Sequence, residues 1–159
     1  MIVVIDDRDL VLQGFSGMFQ RIGYPVFGVL GKDLPNWLDS ICSSEMESIE
    51  AFLVGSTEGA LCPVSHIRSV TKLPIISLIE QNSLTEILHH FEIGADDVVR
   101  KPIHVREILA RVTAIRRRKD TTRSVFEYGR LRVFTDGRDP EIDGESFPLP
   151  RRERRILEY

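Results

Sequence analysis

The stretch Gly94-Ala95-Asp96-Asp97-Val98-Val99-Arg100-Lys101-Pro102 joins a helix stop to a strand. Leu84, Ile87, Leu88 and Phe91 fall on one helical face, Gly94 closes that helix, and residues 97–100 predict a short strand. The same alternation runs outward from it in both directions. Toward the N-terminus, Ile75–Ile79 predicts a strand after Pro74, residues 65–72 a short helix, and Ala51–Val54 a buried strand. Before these, Leu34, Trp37, Leu38 and Ile41 mark a helix with Asp33 as N-cap and Pro35 in its first turn. Residues 26–30 predict a strand, and Val11, Phe15, Met18, Phe19 and Ile22 define a helix ended by Gly23. Ile2–Ile5 is a continuous β-branched run, as for a strand covered on both faces. Toward the C-terminus, Val105, Ile108, Leu109, Val112 and Ile115 give a fifth helix ending in Arg116-Arg117-Arg118-Lys119, where cations suit the negative end of the helix dipole. Five strands alternating with five helices imply an α/β fold with a parallel, doubly wound sheet. In such sheets the functional site lies at the carboxyl ends of the strands.

The period changes after residue 119. Residues 120–124 are polar and short and are expected to form a linker. Beyond them, residues 131–134 predict a strand, Asp143-Gly144 is a hairpin signal, and residues 151–159 resemble the first turns of a helix, with Ile156 and Leu157 as apolar positions. The division is therefore a domain over 1–119, a linker over 120–124 and a second, antiparallel β segment over 125–159. Charge divides in the same way. Residues 1–99 hold 5 Lys/Arg against 14 Asp/Glu, a balance of −9, whereas residues 100–159 hold 16 against 10, a balance of +6. A basic second part suits an anionic partner, and a solvated surface accounts for it equally well on composition alone. No leader peptide and no span of apolar residues long enough for a membrane is present in the sequence, so a cytoplasmic location is expected. Cys42 and Cys62 are isolated and are expected to be reduced thiols.

Asp6 and Asp7 stand just past the first strand. Two carboxylates at a strand end suit a hard divalent cation such as Mg²⁺. They also suit the start of the following helix, where acids stabilise the positive end of the dipole. Local sequence leaves both open. His66, His89, His90 and His104 show neither triad nor metal spacing, and no Gly-rich phosphate loop follows the first strand. An enzyme or a nucleotide-binding protein is therefore disfavoured, and no small-molecule substrate is expected.

Residues 94–102, with Asp6-Asp7 and the strand order, resemble the receiver domain of bacterial response regulators over residues 1–119, which implies the flavodoxin-like form of the doubly wound sheet. In receivers the acidic pair binds Mg²⁺, an Asp ending the third strand accepts a phosphoryl group, a Ser or Thr ends the fourth, and a Lys joined to Pro by a usually cis bond ends the fifth. Asp6, Asp7, Lys101 and Pro102 match that pattern. Glu50-Ala51-Phe52-Leu53-Val54-Gly55 places Gly55 at the acceptor position, Pro74-Ile75-Ile76-Ser77-Leu78-Ile79 places Ile79 at the hydroxyl, and Val98 stands at the switch aromatic. Glycine has no side chain to form an acyl phosphate, and neither Ile79 nor Val98 can do the work of the residue it replaces. The resemblance thus implies an atypical receiver that does not accept phosphate in this pocket. Mg²⁺ loses a carboxylate ligand with Gly55, so its binding at Asp6 and Asp7 is expected to be weak or absent, and Lys101 is expected to pair with Asp6 or Asp7 directly. The alternative is a phospho-switched two-component regulator with an unconventional acceptor, for which Ser56 and Thr57 are the candidates.

Residues 126–133, Ile142-Asp143-Gly144 and residues 147–157 resemble the start of an OmpR/PhoB-type winged-helix domain, with Pro150 at the usual Thr cap and Arg155-Ile156-Leu157 over the apolar pair. Among such proteins the chain is similar to FtcR/Rem-type regulators of flagellar genes, through its Asp97-Val98-Val99-Arg100-Lys101-Pro102 stretch, the helix at 104–111 and the tail Arg152-Glu153-Arg154-Arg155-Ile156-Leu157-Glu158-Tyr159. That resemblance implies transcriptional regulation of flagellar genes and motility, with DNA as partner of the full-length protein. The recognition helix and wing would follow residue 159, so the stretch is expected to be a truncated form that does not read DNA specifically. Receivers of this type pair through the fourth helix, fifth strand and fifth helix. The matching positions are Asp97, Glu107 and Arg111, with Ile87 and Thr113 where charges are common. A homodimer bridged by Asp97 and Arg111 is expected there, against the alternative of a Glu107–Arg111 pair within one helix.

Overall fold

A computed structural model describes residues 1–57, 62–81, 83–123, 125–134, 139–146 and 148, without the side chains of 120–126. The chain divides into two compact units, Met1–Thr113 and Ala114–Tyr159.

In the first unit five strands, β1 (Ile2–Ile5), β2 (Val26–Val29), β3 (Ala51–Val54), β4 (Ile75–Ile79) and β5 (Asp97–Arg100), form one parallel sheet in the order β2-β1-β3-β4-β5. Every residue of β1, β3 and β4 is buried, as their apolar sequences, broken only by Ser77 in β4, require of strands covered on both faces. The connecting helices are α1 (Asp9–Gln20), α2 (Leu34–Ser40), α3 (Ser43–Ser48), α4 (Pro63–Val70), α5 (Leu84–Glu92) and α6 (Val105–Arg123). Phe15 and Phe19 of α1, Leu34 and Leu38 of α2, Val64 and Ile67 of α4, and Ile108, Val112 and Ile115 of α6 are buried. The strand order reverses beside β1, which puts the carboxyl ends of β1, β3 and β4 around one crevice.

Several local expectations need correction. Asp33 makes no side-chain cap. A single 3-10 turn, Gly31–Asp33, leads into α2 instead. Between α2 and β3 lies a further helix, α3, which apolar periodicity does not reveal because Ser43-Ser44-Glu45-Met46-Glu47-Ser48 has one large apolar residue. A capping box starts it: the Cys42 backbone N–H donates to Glu45 Oε2 at 3.0 Å, with cysteine in place of the usual hydroxyl residue. The helix expected over 65–72 begins two residues earlier, at Pro63. Finally, α6 continues through Arg123, so most of the expected linker over 120–124 is helical. No Gly or Pro interrupts that stretch, and extending a helix already nucleated costs little. The boundary between the two units falls inside α6, before the limit expected at residue 119.

The second unit carries a four-stranded antiparallel sheet of β6 (Val125–Tyr128), β7 (Leu131–Phe134), β8 (Glu141–Ile142) and β9 (Glu145–Ser146), in that order. The β8–β9 turn is Asp143-Gly144, both with positive φ (55° and 84°), the geometry that an Asp-Gly pair supplies best. The helix expected over 151–159 lies outside the described residues.

Candidate functional site

Asp6 follows β1 at the carboxyl end of the sheet and is fully buried. A carboxylate in that position requires charged or hydrogen-bonding partners. Arg8 folds back onto it: Nε donates to Asp6 Oδ1 at 2.9 Å, Nη2 to Oδ2 at 3.0 Å, and the Arg8 backbone N–H to Oδ1 at 3.1 Å. Lys101, just past β5, donates from Nζ to Oδ2 at 3.0 Å, and the Ser56 backbone N–H donates to the same oxygen at 3.2 Å. The remaining arm of Arg8, Nη1, donates to Glu80 Oε1 at the end of β4. Lys101, Asp6, Arg8 and Glu80 thus form one alternating chain of charges across the strand ends.

The electrostatics follow from this geometry. Burial alone would push the Asp6 carboxyl up, but the hydrogen bonds from Arg8 and Lys101 outweigh it and bring the pKa down to about 2. The Arg8 guanidinium is held more firmly charged by Asp6 and then by Glu80. Arg8 in turn lowers the Glu80 carboxyl.

Gly55 ends β3 against this cluster. A Cβ placed on Gly55 would overlap Asp6 Oδ2 and lie 3.1 Å from Lys101 Nζ. The space in which an acceptor side chain would start is filled by the Asp6–Lys101 pair. Gly31 closes the rim in the same way, since a Cβ there would lie 2.6 Å from Thr57 Cγ2 and 2.9 Å from Asp7 Oδ1. Asp7 is half-buried beside the cluster, and its backbone N–H donates to the Ser56 carbonyl at 3.0 Å. Ser56 is exposed. Ile79 is buried, and Val98 is half-buried and packed against the core. The Lys101–Pro102 peptide is cis.

Both oxygens of Asp6 are engaged by cationic side chains, Gly55 offers no carboxylate, and among the described residues no three His, Cys, Asp or Glu side chains group as a metal site. The positive charge beside the acidic pair is supplied by Arg8 and Lys101 instead.

The remaining motif residues have structural duties. Asp96 Oδ2 accepts from Arg68 Nη2 at 2.6 Å and from the Ile75 backbone N–H at 2.8 Å, and Arg68 Nε donates to the Gly94 carbonyl at 2.9 Å. Gly94 sits at φ +108° with its open side against Arg68, so its glycine identity is required twice over. Asp97, Glu107 and Arg111 come together within one chain: Arg111 Nη1 donates to Asp97 Oδ2 at 2.9 Å and Nη2 to Glu107 Oε1 at 2.8 Å. Sequence reasoning missed Arg8, Glu80 and Gly31. The available signal was an arginine directly after the acidic pair and an acid directly after the fourth strand.

No family model matches the chain. The chain is 48% identical to the flagellar transcriptional regulator FtcR of Brucella abortus (strain 2308) over 100% of its own length and 72% of that protein's. Its fold is similar to the Thermotoga maritima response regulator DrrB, an OmpR/PhoB homolog, with a TM-score of 0.56 and 26% identity over 98% of this chain and 69% of that one. A two-component response regulator from Clostridium difficile superposes with a TM-score of 0.60 and 22% identity over 75% of this chain and 97% of its own, which shows the receiver fold. At 48% identity along its whole length, with a receiver-type sheet and an antiparallel sheet after it, the chain belongs to the FtcR family of flagellar transcriptional regulators, among the response regulators.

Proposed function

We propose that this protein regulates transcription of flagellar genes with a receiver whose output does not depend on phosphoryl transfer to its pocket. The observation that carries this reading is the overlap of the Asp6 carboxylate with the position of a Gly55 Cβ. The phosphoryl site is not merely short of one oxygen. Its volume is taken by a carboxylate that two cations hold in place, so both Asp6 oxygens are already engaged where Mg²⁺ would need them. The protein is a binding and assembly module in this account, with no catalytic residue. DNA is the partner, and the exposed Arg116, Arg117 and Arg118 add a salt-dependent attraction to its phosphates.

Self-association through α5, β5 and the start of α6 is the second part of the reading. Leu84, Leu88 and Phe91 present apolar surface there, and Asp97, Glu107 and Arg111 form a charged rim beside it. A symmetric dimer would place two copies of this patch face to face.

The test uses a deletion strain. Flagellar transcripts should fall on deletion and return with the wild-type gene, and DNA affinity of the protein should be the same with and without a small phosphodonor and Mg²⁺. Unchanged transcripts would contradict the flagellar assignment. An affinity gain on phosphodonor treatment would contradict phosphate independence.

A further inference from the structure

The helix α5 is held differently from the other long helices. α1, α4 and α6 each bury two or more side chains, whereas α5 buries none completely. Leu84, Leu88 and Phe91, at i, i+4 and i+7, are 70%, 53% and 45% exposed. An element with so little buried surface belongs to the low-stability end of a fold, and its position depends on what fixes its ends. The Ser83 cap of α5 is a long one, with the Glu86 N–H donating to Ser83 Oγ at 3.4 Å. Three residues before that cap stands Glu80, which accepts from Arg8 Nη1. The rest of the same guanidinium is anchored on the buried Asp6.

We infer that Glu80 is a positioning residue: through Arg8 it ties the end of β4, three residues before the Ser83 cap, to the closed carboxylate pocket and so sets how the apolar stripe of α5 is presented. This rests on the pocket being filled by its own ion cluster, and extends that reading from the pocket to a surface. The tether joins a fixed point to a loose one. Asp6 is buried among backbone and side-chain donors, so the Arg8–Asp6 end stays in place. The Arg8–Glu80 end is half exposed and is screened by salt. Presentation of the α5 stripe therefore responds to ionic strength and to charge at residue 80, with no phosphoryl group involved.

Hydrogen exchange of the full chain at low and high salt tests this, on wild type and Glu80→Gln. At low salt the variant should exchange the amides of residues 83–87 about threefold to fivefold faster than wild type, the range an exposed ion pair supports. High salt should bring wild type toward the variant and leave the variant unchanged. Amides of α1 and of β1, β3 and β4 should keep their rates throughout. Unchanged exchange over 83–87 in the variant would overturn the tether, and so would a uniform acceleration in all elements, which is the signature of a residue that supports only global stability. Intact mass after phosphodonor treatment reads the pocket separately: an adduct there would contradict the closed pocket, while the exchange comparison still decides the tether.

Discussion

At Asp6 a buried carboxylate is kept charged by two cations, and that has a measurable acid dependence. Its pKa falls from an ordinary 3.8 to about 2, a difference equivalent to about 2 kcal/mol of folding stability. The folded value is the lower one, so this stability is fully present above the unfolded pKa and is lost as pH falls through the folded one. Denaturant titrations from near-neutral pH down to that folded value should show the loss in wild type. Asp6→Asn should flatten this acid limb and, by leaving Arg8 and Lys101 beside a neutral amide, should destabilise the protein at neutral pH by about 3 kcal/mol. An acid limb of the same size in the Asn variant would assign it to another group. Gly55→Asp, which restores the acceptor by name, should not restore its chemistry. The new Cβ overlaps Asp6 Oδ2, and overpacking of this kind costs about 1–3 kcal/mol. Denaturant midpoints of the two proteins check it, and a variant as stable as wild type would show that Asp6 moves aside freely. The strand-end positions of Asp6, Gly55 and Lys101 were legible in the sequence only through their match to the receiver motifs. The role of Arg8 was not, because spacing along the chain does not say that a side chain folds back over two residues to reach a carboxylate.

Among the elements, the buried strands were the most legible. β1, β3 and β4 are short and largely apolar, with β1 wholly β-branched, and such runs leave few alternatives once Gly and polar clusters bound them. α3 was not legible, since a cap rather than an apolar face starts it. The end of α6 differs for the opposite reason: its polar sequence suggests a linker, although nothing in it stops a helix. The helix α1 offers a direct test of how its sequence is used. Gly14 and Gly17 lie inside it, and a Cβ on either would meet nothing within 4 Å. Ala at each position should therefore raise stability by about 1 kcal/mol, the propensity difference between the two residues. Urea denaturation of Gly14→Ala and Gly17→Ala measures this, and a loss of stability in either would mean that the helix needs glycine there for a contact absent from the isolated chain.

For the whole molecule, charge and assembly are the open quantities. The acidic first part and basic second part were visible in the sequence, and the two-unit division follows that shift approximately. Assembly was legible only as a set of positions, because a patch on one chain does not identify what covers it. Within the chain, Arg111 is shared between Asp97 and Glu107. Arg111→Glu would gather three carboxylates on the α5–β5–α6 face. Sedimentation should then report a dimer for wild type and a monomer for the variant, and equal masses would remove Arg111 from the interface. In this reading the receiver pocket is closed by its own side chains. Intact mass of the protein after incubation with a small phosphodonor and Mg²⁺ is the decisive measurement. An unmodified mass is expected, and a stable phosphoryl adduct mapped to Asp6, Asp7, Ser56 or Thr57 would contradict the closed pocket.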